Sequence, residues 1–278
     1  MVEAETPGRA GAAPGAGGGA VLASGALYFA AAWAAHLLTV PGVPVAAVWL
    51  PVGVQVAAYA LSSTRRWVAL TAAFAIANIL FTWSAAYPVL LAAAYVPIDL
   101  GEGLLGAVIV RRLLGRQPRI ASARGLLAVH GALAIATAAG ALLAAVAVAG
   151  ALGVAPRRAF VLWWVGDFLG GALLVPAALA VPARLPRSAK HVAEAGALAI
   201  VSTATAAGVF LHGRHLPTME FLLVPAWLWA ALRFGVPAVG VVGAIHAAVA
   251  LVTIRAGEGN LVATGLAVAT LTGYVQLL

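Results

Sequence analysis

The segment 125–152, GLLAVHGALAIATAAGALLAAVAVAGAL, contains no Asp, Glu, Lys or Arg. At about 1.5 Å per helical residue it is longer than the roughly 30 Å hydrocarbon core of a bilayer. Comparable apolar runs recur at 20–39, 46–62, 67–85, 88–111, 160–181, 192–212, 219–233, 236–254 and 260–278. They are separated by turn chemistry: VPGVP at 40–44, SSTRR at 62–66, GRQPR at 115–119, VAPRR at 154–158 and ARLPR at 183–187. Only 9% of the chain is charged and 64% is hydrophobic. Soluble domains carry about 25% charged residues, so a globule of this composition could not cover its surface in water. The sequence therefore reads as an all-α, polytopic transmembrane helix bundle of ten spans. The count falls to eight or nine if the short link after Phe234 and the weak last run are not both crossings.

The net charge of +8 does not point to nucleic acid, because the charges sit in short clusters between apolar runs. Such clusters set membrane orientation. With the N-terminus in the cytoplasm, 12 of the basic residues (Arg9, Arg65, Arg66, Arg111, Arg112, Arg116, Arg119, Arg124, Arg184, Arg187, Lys190 and Arg233) fall inside. The other 4, Arg157, Arg158, Arg214 and Arg255, fall outside. This split favours a cytoplasmic N-terminus. Residues 1–19, rich in Gly, Ala and Pro, lack the basic start of a cleaved signal and read as a disordered cytoplasmic tail. Residues 20–278 form the membrane domain. The absence of cysteine excludes disulfides, thiolate metal sites and cysteine nucleophiles.

Polar residues inside these runs carry the functional signal. WWVGDFLGG, at 163–171, holds Asp167 with no basic residue within eight positions on either side. On this topology Asp167 lies roughly 10–12 Å below the outer surface, at 1.5 Å per residue. Asn78, Asp99 and His246 come near the midplane and Gln55 near the depth of Asp167. Glu102 follows Asp99 on the same helix face, since i and i+3 are neighbours. A charge at such depth costs at least about 2.5–3.5 kcal/mol, so these residues are expected to face the bundle interior. Asp167 is then either protonated or paired with His246 or a bound cation.

Each residue also has a plainer reading. Asp167 can serve as a packing hydrogen bond, IDLGEG as a kink, His246 as a satisfied core histidine, and Asn78 and Gln55 as interhelical glue. Trp163 and Trp164 sit about one turn inside the outer interface, where aromatic belts occur. Glu194 lies three residues after His191 at the start of a span and reads as a charge anchor.

Enzyme signatures are absent. There is no H-E-x-x-H, P-loop, Rossmann or kinase motif, and no serine and histidine suitably placed for intramembrane proteolysis. His130 and His246 differ in depth, which argues against haem. No catalytic residue, metal or cofactor is expected.

Three stretches taken in order resemble a known family. VWLPVGVQVAAYALSSTRRWVALTAAFAIANIL (48–80) has a W-x-P-x-G span, a basic turn and a span ending in Asn. WWVGDFLGGALLVPAAL (163–179) is a W-W-x-G-D span with a later Pro, and FLLVPAWLWAALRFGVPAV (221–239) carries P-x-x-x-W-x-A-x-R-F-G. Together they resemble the membrane-associated sensor domain family of the first type, the MASE class, over about 20–278. The matching positions are Trp49, Pro51, Gly53, Asn78, Trp163, Trp164, Gly166, Asp167, Pro176, Trp229, Arg233, Phe234 and Gly235.

The resemblance implies a bacterial signal-input domain that serves a histidine kinase or diguanylate cyclase, with the lipid bilayer as its surroundings and a homodimer compatible with it. Ligand contact is expected at Asp167, Asn78, Asp99 and Gln55, with Trp163 and Trp164 as outer wall and Arg233 as relay to the partner. The chain stops at GYVQLL with no output module, so either a separate partner or a longer receptor is expected. The competing reading is a small transporter that uses midplane acids and helices broken at Pro51, Pro97, Pro176, Pro225 and Pro237.

Overall fold

The computed structural model describes residues 16–37, 39, 46–152, 155–180, 188–212 and 220–257. The predicted last span, 260–278, lies outside these residues, as do positions 1–15 of the predicted tail. Among the described residues the structure is helical, with a single isolated bridge between Ile120 and Ala180. The helices are α1 (Ala16–Leu37), α2 (Leu50–Leu61), α3 (Trp67–Ser84), α4 (Val89–Leu114), α5 (Ala123–Leu152), α6 (Pro156–Leu179), α7 (Ala189–His212), α8 (Val224–Phe234) and α9 (Val236–Arg255). α1 starts inside the stretch assigned to the tail. Among the described residues seven helices are long and apolar enough to cross a membrane. In hydrocarbon every backbone polar group must be satisfied within the chain, and a continuous helix does this without partners.

The other two helices differ from the expected spans. α2 has 12 residues and α8 has 11. At 1.5 Å per residue they reach about 16–18 Å, little more than half of the hydrocarbon core. α8 is extended at its start only by a 3-10 turn, Glu220–Leu223. It ends at Gly235, whose φ of 78° is the left-handed conformation that glycine tolerates, and α9 then begins with a proline in its first turn.

α2 is short because the chain before it is not helical. Residues 46–49 run as bends and irregular backbone against the side of α6. The Trp49 N–H donates to the Gly166 carbonyl at 2.9 Å. Two glycines make this approach possible. A Cβ on Gly166 would stand 2.7 Å from the Ala46 carbonyl oxygen, and one on Gly170 would stand 2.0 Å from that of Trp49. One turn into α2, a Cβ on Gly53 would meet the Gly170 carbonyl at 2.7 Å. Pro51 sits in the first turn of α2, where its missing N–H has no partner to lose. The W-x-P-x-G and G-D-F-L-G-G motifs are therefore the two halves of one backbone contact. Non-helical backbone at membrane depth is tolerated only when protein buries it, and here α6 does so.

α2 is the centre of the bundle. Pro51, Val52, Gly53, Val54, Gln55, Val56, Tyr59 and Ala60 are all buried. It packs between α4 and α6, with α1 on another side and α5 behind α4 and α6. Small residues allow the close spacing: Gly103 meets Gln55, Gly106 meets Val56, and Gly25 of α1 meets Ala73 of α3. α7, α8 and α9 form a second group that joins the first where Gly240 and Gly243 of α9 rest on Leu173 of α6. Large apolar side chains such as Val68, Trp83, Val89, Leu90, Val146 and Leu232 point outward and are mostly exposed. An apolar rim of this kind is normal against lipid and untenable in water.

The bundle has two distinct ends. The α2–α3 and α4–α5 connections form a basic end, with Arg65, Arg66, Arg111, Arg112, Arg116 and Arg119 at or near the turns. There Arg111 donates to the Ser62 carbonyl at 2.9 Å and lies over the Trp67 ring at 5.3 Å. The opposite end carries the α3–α4 turn. Ala86, with φ 56°, closes α3 in a Schellman arrangement, and Tyr87 N–H bonds back to the Thr82 carbonyl at 2.9 Å. At this end Arg255 also reaches the carbonyl oxygens of Leu37 and Thr39, tying α9 to the end of α1.

Candidate functional site

Beneath the α3–α4 turn lies a cavity of about 40 Å³. Its walls come from four regions: Ala46 and Trp49 before α2; Asn78, Phe81 and Thr82 on α3, with Tyr87 in the turn; Tyr95 and Asp99 on α4; and Trp163 and Asp167 on α6. Four of the six predicted ligand residues, Asn78, Asp99, Trp163 and Asp167, meet here.

Three side chains form a fixed polar cluster at its floor. The Asn78 amide nitrogen donates to Asp99 Oδ2 at 2.7 Å and to the Tyr28 hydroxyl at 2.7 Å, and that hydroxyl donates to the same Asp99 oxygen at 3.3 Å. All three residues are buried. Their remaining oxygens, Asp99 Oδ1 and Asn78 Oδ1, have no partner in the protein, and neither has Asp167 Oδ2. Buried polar atoms are normally hydrogen-bonded, so three unpartnered oxygens on residues of one cavity wall stand out.

Glu102 extends the acidic column one turn below Asp99. Its side chain lies flat on α5, where a Cβ on Gly140 would be 2.1 Å from Oε2. Neither of its carboxyl oxygens has a partner of good geometry. It faces Asp167, and the Trp163 indole faces both acids. The sequence reading put Glu102 on Asp99's face but left it out of the ligand set. The usable signal was the IDLGEG spacing together with the absence of any basic residue at that depth.

No Arg, Lys or His lines the cavity. The starts of α2 and α4, next to Trp49 and Tyr87 of the wall, add positive potential, since a helix N-terminus carries about half a positive charge. Among the described residues no group of three or more His, Cys, Asp or Glu is arranged to hold a metal ion.

The remaining expected residues lie elsewhere. Gln55 is buried below the cavity against Gly103, with neither amide atom partnered. Trp163 is 7% exposed and packs on Tyr95 at 5.0 Å between ring centres, so it is an inner wall and not part of an interfacial belt. Trp164 points the other way, stacks on Phe160 and donates to the Ala134 carbonyl at 3.1 Å.

His246 does not reach Asp167. It lies beside Trp227 in a separate apolar cavity of about 140 Å³, and neither ring nitrogen has a partner. Arg233 is held in a fork by Glu194, Nε to Oε1 at 2.6 Å and Nη2 to Oε2 at 2.7 Å, and Trp229 adds a third bond to that carboxylate at 3.3 Å. Glu194 is thus a partner of the R-F-G block and more than a charge anchor. The sequence reading also missed Tyr28, Phe81, Tyr87 and Tyr95, which resemble ordinary apolar filling when read one span at a time.

No curated protein and no solved structure matches the chain. The MASE1 family model matches residues 20–278, nearly the whole sequence. The chain belongs to the MASE1 family, a family of membrane sensor input domains.

Proposed function

We propose that this MASE1 member is a non-catalytic signal-input protein that perceives a small ligand, proton or ion in the Asp99–Asp167 cavity. In this reading it passes the change to a histidine kinase or diguanylate cyclase. The observation that carries the reading is the set of unpartnered oxygens on Asn78, Asp99 and Asp167 within a membrane bundle. The orientation that suits it puts the N-terminus and the basic end in the cytoplasm of a bacterial cell, with the cavity toward the outer half of the inner membrane.

α2 is the natural transmitting element. One end, at Trp49, forms the cavity wall, and the other, at Ser62, is held by Arg111 beside the basic turn. A ligand that binds one position of α2 more tightly than another shifts the population between them, which is all that sensing requires. The Arg233–Glu194 fork would release or hold α8 as the helices move, and this is the relay role assigned to Arg233.

The test fuses residues 1–278 to a diguanylate cyclase module and measures cyclic dinucleotide output in cells. Asp167→Asn and Asp99→Asn should lock the output high or low. Output that still follows growth conditions as the parent does would reject the site.

A transporter reading has one specific observation in its favour. α2 begins at membrane depth after a non-helical stretch, the device with which secondary transporters build substrate sites. Solute accumulation by the purified protein in liposomes would support it.

A further inference from the structure

The sensing cavity has an unusual wall. Five aromatic side chains surround it, and they touch one another in sequence. Trp49 packs on Phe81 at 5.6 Å, Phe81 on Tyr87 at 5.9 Å, Tyr87 on Tyr95 at 6.0 Å, and Tyr95 on Trp163 at 5.0 Å. The rings form a continuous arc from the start of α2 through α3, the turn and α4 to α6. Asp99 and Asp167, each with a carboxyl oxygen that lacks a protein partner, share the wall with the arc. His36, the nearest imidazole, packs on Phe81 and Tyr87 but is not a wall residue.

This combination selects a class of ligand. Unpaired carboxyls call for positive charge, and the wall holds no basic side chain to supply it. A hard metal cation seeks six or more oxygens in a shell, whereas half of the wall residues here are aromatic and only two are acids. Aromatic faces instead attract organic cations through the ring quadrupole, most strongly once water is removed. Size sets the limit. A cavity of about 150 Å³ takes a benzene ring, so one of about 40 Å³ suits an occupant of two or three heavy atoms. We propose that the aromatic arc and the Asp99 and Asp167 carboxyls form a binding site for a small organic ammonium ion of the size of methylammonium. The ammonium hydrogens would bond to the carboxyls and the Asn78 amide oxygen, with the methyl group against the rings.

The inference rests on the proposed sensory role of this cavity, but its test does not use signalling. Purified full-length protein in detergent micelles is titrated with methylammonium chloride, following tryptophan fluorescence and the thermal midpoint. Sodium chloride and tetraethylammonium chloride serve as charge and size controls. Saturable fluorescence change and thermal stabilisation by methylammonium, absent with both controls, are expected. Asp167→Asn should weaken the apparent affinity at least about tenfold, the loss expected for a charge-assisted bond. Trp163→Leu keeps both acids and should weaken it by a smaller factor through the lost cation–π contact. If sodium or tetraethylammonium acts equally, or methylammonium acts equally on the folded Asp167→Asn protein, the proposal is overturned. No saturable response to methylammonium overturns it too, and leaves the sensory reading to the cyclase fusion experiment.

Discussion

Replacing Gly170 by alanine should disable the seat of α2, and the size of the effect can be worked from the contact distances. The new Cβ would stand 2.0 Å from the Trp49 carbonyl oxygen, 2.3 Å from its carbon and 2.8 Å from the Leu50 nitrogen. All three are backbone atoms, so no side chain can swing aside. Ordinary contact begins near 3.4 Å, and the start of α2 must withdraw by about 1.4 Å, the difference between 3.4 and 2.0. A shift of that size in the wrong direction breaks the 2.9 Å bond from Trp49 N–H to Gly166. Overpacking costs about 1–3 kcal/mol, and a buried donor left unpaired costs about 1–3 kcal/mol more.

The expected loss is therefore at least about 2 kcal/mol, read as a lower thermal midpoint in micelles and faster proteolysis near residues 46–49. Gly131→Ala is the matched control. It lies within α5 with nothing inside 4 Å, so the same substitution should stabilise by up to about 1 kcal/mol through helix propensity. If Gly170→Ala melts with the wild type, or the two variants behave alike, the account of α2 as a helix resting on a glycine floor is wrong.

Asn78→Ala should cost about 2–3 kcal/mol in micelles, because its amide holds both Tyr28 and Asp99, whereas Asp167→Asn, whose Oδ2 has no bond to lose, should melt no lower than wild type. The reverse order would contradict the assigned network. Ala86→Gly should raise the thermal midpoint by the equivalent of up to about 1 kcal/mol, since a positive φ of 56° strains alanine and not glycine. A lower midpoint would show that the turn is held otherwise. Arg233→Lys keeps the charge but loses the fork to Glu194, so amide exchange across 224–234 should speed up. Unchanged exchange would remove the fork from any relay.

Helix positions could be read from the apolar runs because the hydrocarbon thickness imposes its own ruler, and α3, α7 and α9 fall within three residues of the expected limits. The length of α2 could not. An apolar stretch such as AVWLPVG has the same hydropathy whether it is helical or extended, and the decisive fact, α6's glycine floor, lies more than a hundred residues away. The acids were legible because a carboxyl in lipid has so few tolerable surroundings. Their walls were not. Trp163 and Trp164 are neighbours in sequence yet about 100° apart on a helix, so one turns to the cavity and the other to α5. The Glu194–Arg233 fork joins positions 39 residues apart, and no local pattern announces it.

The burial of α2 on every side has a consequence for biosynthesis. A segment of 12 residues, eight of them buried in the bundle, is too short to gain much by partitioning into the membrane alone. Its main partners, α4 and α6, are made after it, and the glycine floor leaves the ribosome only when more than half of the chain has been synthesised. The central helix of the bundle is thus seated only once the sixth helix has arrived to hold it, and the cavity wall at Trp49 is completed at the same moment.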